Sequence, residues 1–195
     1  MIKLTKKESP FENLYWVCLA LQSEKEASRK ALSRVNVELD PLDDKIIFTA
    51  TDGRRLHRFT ADIGAYFEGV KPGLYQLAKK TKTEIVLVED NDEDLIYPDA
   101  EKVIPDFTER NWVPLICGTL SAIVSRSYAR ALRLLSNKKY SYDIGYFKDF
   151  INTPPANSPE MSVYETQYYA MLLSRTENSL GVLCCIEDTD IQDED

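Results

Sequence analysis

Hydrophobic residues near the N-terminus recur at helical spacing. The segment SPFENLYWVCLALQ predicts a helix from about Pro10 to Leu21, because Ser9 and Glu12 are spaced as a capping box and proline suits the first helical position. The predicted buried face of this helix consists of Phe11, Leu14, Tyr15, Cys18 and Leu21.

The pattern then changes to the alternation of half-buried strands. Val35, Val37 and Leu39 alternate with polar residues in LSRVNVELD, and two further strands are predicted in KIIFTAT and RRLHRFTADI. Two more strands are predicted in GLYQLAKK and TEIVLVED. The next segment, LIYPDAEKVIPDF, contains two prolines, which exclude a central strand.

The second part of the chain predicts helices followed by strands. A stripe of apolar residues predicts a helix in TLSAIVSRSYARALRLLS, and a shorter helix is predicted in YDIGYFKDFI. Three closing strands are predicted in EMSVYE, QYYAMLLSR and LGVLCCI. This order of elements predicts an α+β fold with mostly antiparallel sheets and a few helices on one face.

The length and the charge distribution of the chain limit its possible domain organisation. The chain has 195 residues with 44% hydrophobic and 29% charged residues, which is enough apolar material for a packed core. We expect residues 1–187 to form one enlarged domain or two abbreviated halves, 1–105 and 106–187. The net charge is −8, of which −6 comes from the last nine residues, so we expect 188–195 to be an acidic, disordered tail.

The residues that carry chemistry are few, and their arrangement predicts a protein that is not an enzyme. His57 is the only histidine and lies in a strand beside arginines, which disfavour the imidazolium that a general base must form. The seven glycines are not spaced as a phosphate-binding loop, and EDNDEDLIYPD lacks the order of an EF-hand. We therefore expect no cofactor and no metal site.

The cysteines and the apolar segments indicate the cellular compartment of the protein. We expect reduced cysteines acting as small apolar residues at Cys18, Cys117, Cys184 and Cys185. No apolar run approaches the ~20 residues needed to span a bilayer, and no apolar segment follows the basic N-terminus. The sequence thus predicts a cytoplasmic protein without a membrane partner.

Two motifs resemble those of one protein family. TATDGRRLHRF resembles the signature ATDGHRLA of the bacterial sliding clamp, the ring-shaped β subunit of replicative DNA polymerase. YPDAEKVIP, at 97–105, resembles the family's FPDYxRVIP. The segment from Ser23 to Leu56 follows the family upstream in length and pattern, and the last 50 or so residues follow it loosely.

The chain also departs from the family. The family chain has three similar domains and about twice this length. The histidine of the signature is replaced by Arg54, and the terminal Met-Pro-Met-Arg by Cys184-Cys185-Ile186-Glu187.

The resemblance implies a pocket that holds short peptides of partner proteins. The matching positions are Leu32, Thr51, Gly53, Arg54, Arg55, Leu56, Pro98, Lys102 and Val103, with Cys184 and Ile186 in place of the terminal methionines. Aliphatic walls with a few fixed polar groups suit such a ligand. The alternative is structural: Thr51-Asp52-Gly53 is a hairpin corner that places Leu56 in the core.

The resemblance also implies passive contact with duplex DNA through phosphates. Such contact needs lysines and arginines rather than base-reading groups. The candidates lie on and just after the second helix, at Arg126, Arg130, Arg133, Lys138 and Lys139. The alternative is an ordinary solvated helix face.

Together the resemblance implies a sliding-clamp-like DNA replication accessory protein, such as a phage or another mobile element would encode. It would assemble into a homo-oligomer and tether a polymerase or repair protein to DNA. A second hypothesis is a monomeric adaptor that keeps the clamp fold and the peptide pocket without encircling DNA.

Overall fold

Strand pairing dominates the computed structural model, which describes residues 1–25, 27, 29–40, 42–104, 112–116, 142–151, 153–154, 160–165 and 170–185. The strands in this part of the chain are β1 Ile2–Thr5, β2 Arg34–Asp40, β3 Lys45–Thr51, β4 Arg55–Asp62, β5 Gly73–Lys80, β6 Glu84–Glu89, β7 Trp112–Ile116, β8 Glu160–Glu165, β9 Ala170–Arg175 and β10 Ser179–Cys184. They form one sheet in the order β1-β6-β5-β2-β3-β4-β10-β9-β8-β7. Every pair of neighbours is antiparallel.

Three helices and two 3₁₀ turns accompany these strands in the described ranges. They are α1 Phe11–Val17, α2 Gly64–Phe67, α3 Ile144–Ile151, and the 3₁₀ turns Lys30–Ser33 and Ala100–Lys102. The indole of Trp16 in α1 stacks on His57 of β4, and a methyl group at Gly181 of β10 would touch both Trp16 and Phe150 of α3. Since His57 and Gly181 are cross-strand partners, α1 and α3 lie on the same face of the sheet. The predicted α+β fold with mostly antiparallel strands is therefore confirmed.

The first helix differs from its prediction at both ends. It begins at Phe11 without a side-chain cap, so the predicted capping role of Ser9 is wrong. The tight turn after β1 sets the start instead, because Glu8 accepts hydrogen bonds from the backbone N–H of Thr5 and, through its carbonyl, from Phe11. The helix ends at Val17, and the N–H groups of Leu19 and Ala20 then bond to carbonyls three positions back.

The buried face of α1 is correspondingly shifted from the predicted one. Phe11, Leu14 and Cys18 are buried as predicted, whereas Tyr15 and Leu21 are only partly buried. Trp16 and Val17 are buried in addition, because both the sheet and α3 cover this short helix. This face of the sheet carries the main core, with Val35, Val37, Ile46, Phe48, Ala50 and Phe59 beneath the helix.

Most other predicted elements are present. The strands predicted in the first half are β2 to β6, the closing meander is β8 to β10, and the short later helix is α3. Strands β1 and β7 were not predicted. Among the described strands β7 is the last of the sheet, a position that tolerates Pro114. The helix predicted in TLSAIVSRSYARALRLLS and the tail 188–195 lie outside the described residues.

The pairing of β4 with β10 joins the two parts of the chain. Leu56 faces Val182 and His57 faces Gly181 across this junction, so strands from 1–105 and 106–187 share one sheet. The division into one domain or two halves stays a prediction. What matters for the site is that the β3–β4 corner adjoins the end of β10.

Candidate functional site

The corner between β3 and β4 is held by its own side chains. The Asp52 carboxylate accepts hydrogen bonds from the backbone N–H groups of Arg54 and Arg55, each at 3.0 Å, and from Arg55 Nε at 3.0 Å. Thr51 Oγ1 donates to the Arg55 carbonyl at 2.7 Å and accepts from the Gly53 N–H at 3.1 Å. Gly53 has a φ of +89°, which a side chain would strain. The Thr-Asp-Gly sequence therefore builds a rigid hairpin loop.

Arg55 ties this loop to the helical side of the sheet. Its Nη1 donates to Asp149 of α3 at 2.7 Å, and its Nη2 donates to the carbonyl of Leu19. The guanidinium also lies 4.1 Å from the centre of the Tyr146 ring. Because these partners and Asp52 use its donors, Arg55 acts mainly as a strut of the corner.

His57 is a core residue. Its ring stacks on Trp16 with the centroids 3.9 Å apart, and its Nδ1 donates to the Trp16 carbonyl at 2.8 Å. Burial lowers the pKa of His57 to about 3, and the nearby Arg55 charge acts in the same direction. The imidazole is thus neutral at physiological pH, with one nitrogen already committed to the backbone.

A cavity of about 530 Å³ opens on the other face of the sheet, beside the corner. Leu56, Val182 and Thr51 lie on this face, because Leu56 is the cross-strand partner of the other two. Nine of the residues predicted for a peptide pocket line it: Leu32, Thr51, Gly53, Arg54, Arg55, Leu56, Pro98, Val103 and Cys184. The cavity therefore brings together segments as far apart in sequence as Leu32 and Cys184.

The segment that follows Tyr97 forms one wall of the cavity. Tyr97 donates its hydroxyl to the Thr49 carbonyl at 3.2 Å, and burial raises the pKa of this phenol. Arg58 Nη1 pairs with Glu101 at 2.6 Å, and Ala100 packs in a small apolar cluster with Leu56. These contacts fix Pro98 to Val103 over the sheet although Pro98 follows Gly53 by 45 residues.

Some predicted site residues are not at the cavity. Lys102 does not line it; the 3₁₀ turn directs this side chain into solvent, where its Nζ lies 3.5 Å from Asp99. Ile186 lies outside the described residues. So do the predicted DNA contacts Arg126, Arg130, Arg133, Lys138 and Lys139.

The cavity also contains residues outside the predicted list. Asp52, Asp99 and Ala100 belong to the two motifs, whereas the sequence did not indicate Gln22, Arg29 and Val182. Gln22 Oε1 is buried without a hydrogen-bond partner in the part of the chain that the structure describes. Val182 lines the cavity because its strand pairs with β4, and no local sequence pattern predicts that pairing. No local pattern indicates Gln22 either, because it lies in the irregular segment that follows α1.

The cysteines and carboxylates of the described residues do not gather into a metal site. No group of three or more histidine, cysteine or acidic side chains there has a metal-binding arrangement. Cys18 and Cys184 form no disulfide within the described residues, and burial raises the pKa of Cys18 to about 12. None of the helices described has the length and apolar character needed to cross a membrane.

The architecture is that of the bacterial sliding clamps. A clamp from Pseudomonas aeruginosa, the DNA polymerase III subunit beta, superposes with a TM-score of 0.57 at 14% identity, covering 95% of this chain and 66% of that one. The clamp from Bartonella birtlesii bound to griselimycin gives 0.56 at 14% identity, with 95% and 65% covered. The Helicobacter pylori beta clamp bound to a DNA ligase peptide gives 0.54 at 9% identity, with 94% and 65% covered.

These comparisons define the fold. The chain spans about 65% of the length of the solved clamps it matches. No protein-family model matches the sequence, and no curated protein does. At identities this low the likeness establishes a shared DNA-clamp fold, as the two sequence motifs predict.

Proposed function

We propose that this protein is a non-enzymatic, sliding-clamp-like accessory protein of DNA replication that tethers a polymerase or repair protein to duplex DNA. A short linear peptide of that partner would bind in the cavity beside the β3–β4 corner. The observation that carries the proposal is the joint position of the two motifs. The hairpin corner at Thr51–Gly53 lines the same cavity as four residues of the second motif, Pro98, Asp99, Ala100 and Val103.

The cavity has the chemistry that an apolar peptide anchor needs. Its volume of about 530 Å³ falls within the range of small-ligand pockets. Leu32, Leu56 and Val182 supply buried aliphatic surface, and the half-exposed Val103 forms part of the rim. Burying apolar side chains there contributes roughly 25 cal/mol for each Å² removed from water.

Gln22 supports the same proposal from the polar side. A buried acceptor without a donor costs on the order of 1–3 kcal/mol. A peptide N–H group would supply the donor once the Gln22 side chain turns toward the cavity that it lines. One of the solved clamps of this fold, from Helicobacter pylori, holds a DNA ligase peptide, which is the class of ligand proposed.

Val103→Asp should weaken peptide binding by about ten- to a hundredfold without lowering the melting temperature. The side chain of Val103 is 45% exposed in the free protein, so a carboxylate there is solvated until an apolar peptide covers it. The measurement is fluorescence anisotropy with a labelled peptide that carries a Leu-Phe anchor.

Ile96→Asp is the matched control for this variant. Ile96 belongs to the same connecting segment, is 86% exposed and does not line the cavity, so the affinity should stay within about twofold of the wild type. Equal affinities of the two variants would show that the peptide binds elsewhere.

The DNA part of the proposal rests on the basic residues of the sequence. Duplex binding should be weak, indifferent to base sequence and steeply reduced by salt. Replacing Arg126, Arg130 and Arg133 together by glutamate should abolish this binding. The three phosphate contacts account for about 2.7 in the slope of log K against log[salt]. Retention on a DNA column at increasing salt measures this slope.

Three charge reversals elsewhere provide the control for DNA binding. Lys6, Lys7 and Lys82 are exposed residues of the N-terminal half, and changing all three to glutamate alters the net charge equally. If both triple variants bind DNA like the wild type, Arg126, Arg130 and Arg133 form only a solvated surface. The peptide-binding adaptor without a ring then becomes the better description, and a monomeric mass by light scattering at high concentration would agree with it.

A further inference from the structure

The charged residues around the cavity fall into two groups. Asp52 and Arg55 pair with each other, and Arg55 also pairs with Asp149. Asp99 caps the 3₁₀ turn by accepting from the Glu101 N–H at 3.1 Å and lies 3.5 Å from Lys102. Both acids of the lining therefore have cationic partners within the protein.

Two arginines of the lining have no such partner. Arg29 and Arg54 are exposed, and within the described residues neither forms a salt bridge. Arg54 uses its backbone, whose N–H donates to Asp52 and whose carbonyl accepts from the Cys184 N–H at 2.9 Å. The backbone at 54 is thus fixed at the cavity while the guanidinium projects from the loop without an anion.

We propose that the peptide recognised by this cavity is acidic, with carboxylate side chains on either side of its apolar anchor that pair with Arg54 and Arg29. This inference rests on the proposed function and names the chemistry of its ligand. An arginine keeps its charge at every physiological pH and offers a planar fork that matches a carboxylate. Arg54 stands where the clamp signature has a histidine, a residue that is largely neutral at pH 7.

The rim also disfavours basic peptides. A lysine or arginine flanking the anchor would meet Arg29 and Arg54, while Asp52 and Asp99 are already engaged with cations. Like charges brought together at an interface reduce affinity and suppress wrong partners. The same charges accelerate the approach of an acidic segment at low salt.

Two synthetic peptides test the proposal. Both carry the same Leu-Phe anchor with capped termini; one has an aspartate on each side of the anchor and the other has asparagines. We expect the wild-type protein to bind the aspartate peptide about two- to fivefold more tightly, as partly exposed charge pairs do. This preference should shrink as salt is raised to 1 M, where the Debye length is about 3 Å.

Arg54→Gln should remove about half of the aspartate preference or more, measured as the ratio of the affinities of one protein for the two peptides. Lys82→Gln is the matched control; it removes one exposed positive charge in the β5–β6 turn outside the cavity and should leave the preference intact. Comparing the two peptides on the three proteins isolates the interaction of Arg54 with the carboxylates.

The possible failures are distinguishable. Equal binding of both peptides by the wild type, or a preference that survives Arg54→Gln, would overturn the acidic specificity and leave the peptide pocket standing. Binding of neither peptide by the wild type would overturn the pocket and this inference together.

Discussion

Leu56→Asp should remove a large part of the folding stability of this protein. Leu56 is 2% exposed and packs with Ala100, Leu173 and Val182 on the cavity side of the sheet. Losing a buried leucine costs about 2–5 kcal/mol, and a carboxylate at the same place adds the cost of burying a charge or its protonated form. We expect a loss of at least about 4 kcal/mol in the free energy of unfolding, measured by urea denaturation. That is a large part of the ~5–15 kcal/mol typical of domains.

Leu42→Asp is the control for this substitution. Leu42 is 93% exposed in the β2–β3 turn, so the same chemical change there should alter the free energy of unfolding by less than about 0.5 kcal/mol. If Leu56→Asp were as stable as Leu42→Asp, the packing of the corner against β10 would be wrong. Because Leu56 serves both the core and the cavity, its loss cannot separate binding from folding, and Val103 is the better probe of the pocket.

Arg55→Ala should destabilise the protein by about 3 kcal/mol. The substitution leaves the mostly buried Asp52 and the partly exposed Asp149 without their shared cation, and removal of one partner from a buried pair costs about 3–5 kcal/mol. The exposure of Asp149 places the expected value at the lower end. Thermal and urea unfolding measure it.

Arg54→Ala provides the comparison for Arg55→Ala. It removes the same side chain one position earlier, where the guanidinium is exposed, and should change stability by less than about 0.5 kcal/mol. Arg55→Lys should lie between the two, because a single ammonium group cannot reach both carboxylates in the geometry of the fork. Similar stabilities of Arg54→Ala and Arg55→Ala would contradict the role of Arg55 as the strut of the hairpin corner.

The structure also changes how the two arginines at the β3–β4 corner, Arg54 and Arg55, are interpreted. The sequence places Arg54 and Arg55 side by side in a predicted pocket, and both residues do line the cavity. Their guanidinium groups nevertheless have different surroundings. Arg55 reaches α3 on the helical side of the sheet, while Arg54 stays in solvent at the loop. Successive side chains along a strand point to opposite faces. Which of the two arginines has its charge paired depends on the position of α3, whose Asp149 binds Arg55.

The sequence by itself determined the kinds of element and the composition of the corner. Alternating apolar residues predicted strands β2 to β6 and β8 to β10, because the period of two residues is a local property of an extended chain. Thr51-Asp52-Gly53 predicted a turn for an equally local reason. Asp52 bonds to residues two and three positions later, and Gly53 takes a positive φ.

Only the tertiary structure decided which distant residues meet. Leu56 and Val182 face each other across a separation of more than 100 residues, through a register that neither strand encodes alone. The short length of α1 and the burial of Trp16 against His57 depend on the same packing. Periodicity fixes which side of a strand is apolar, but the partner that covers that side is set by the free energy of the whole assembled sheet, to which every strand contributes.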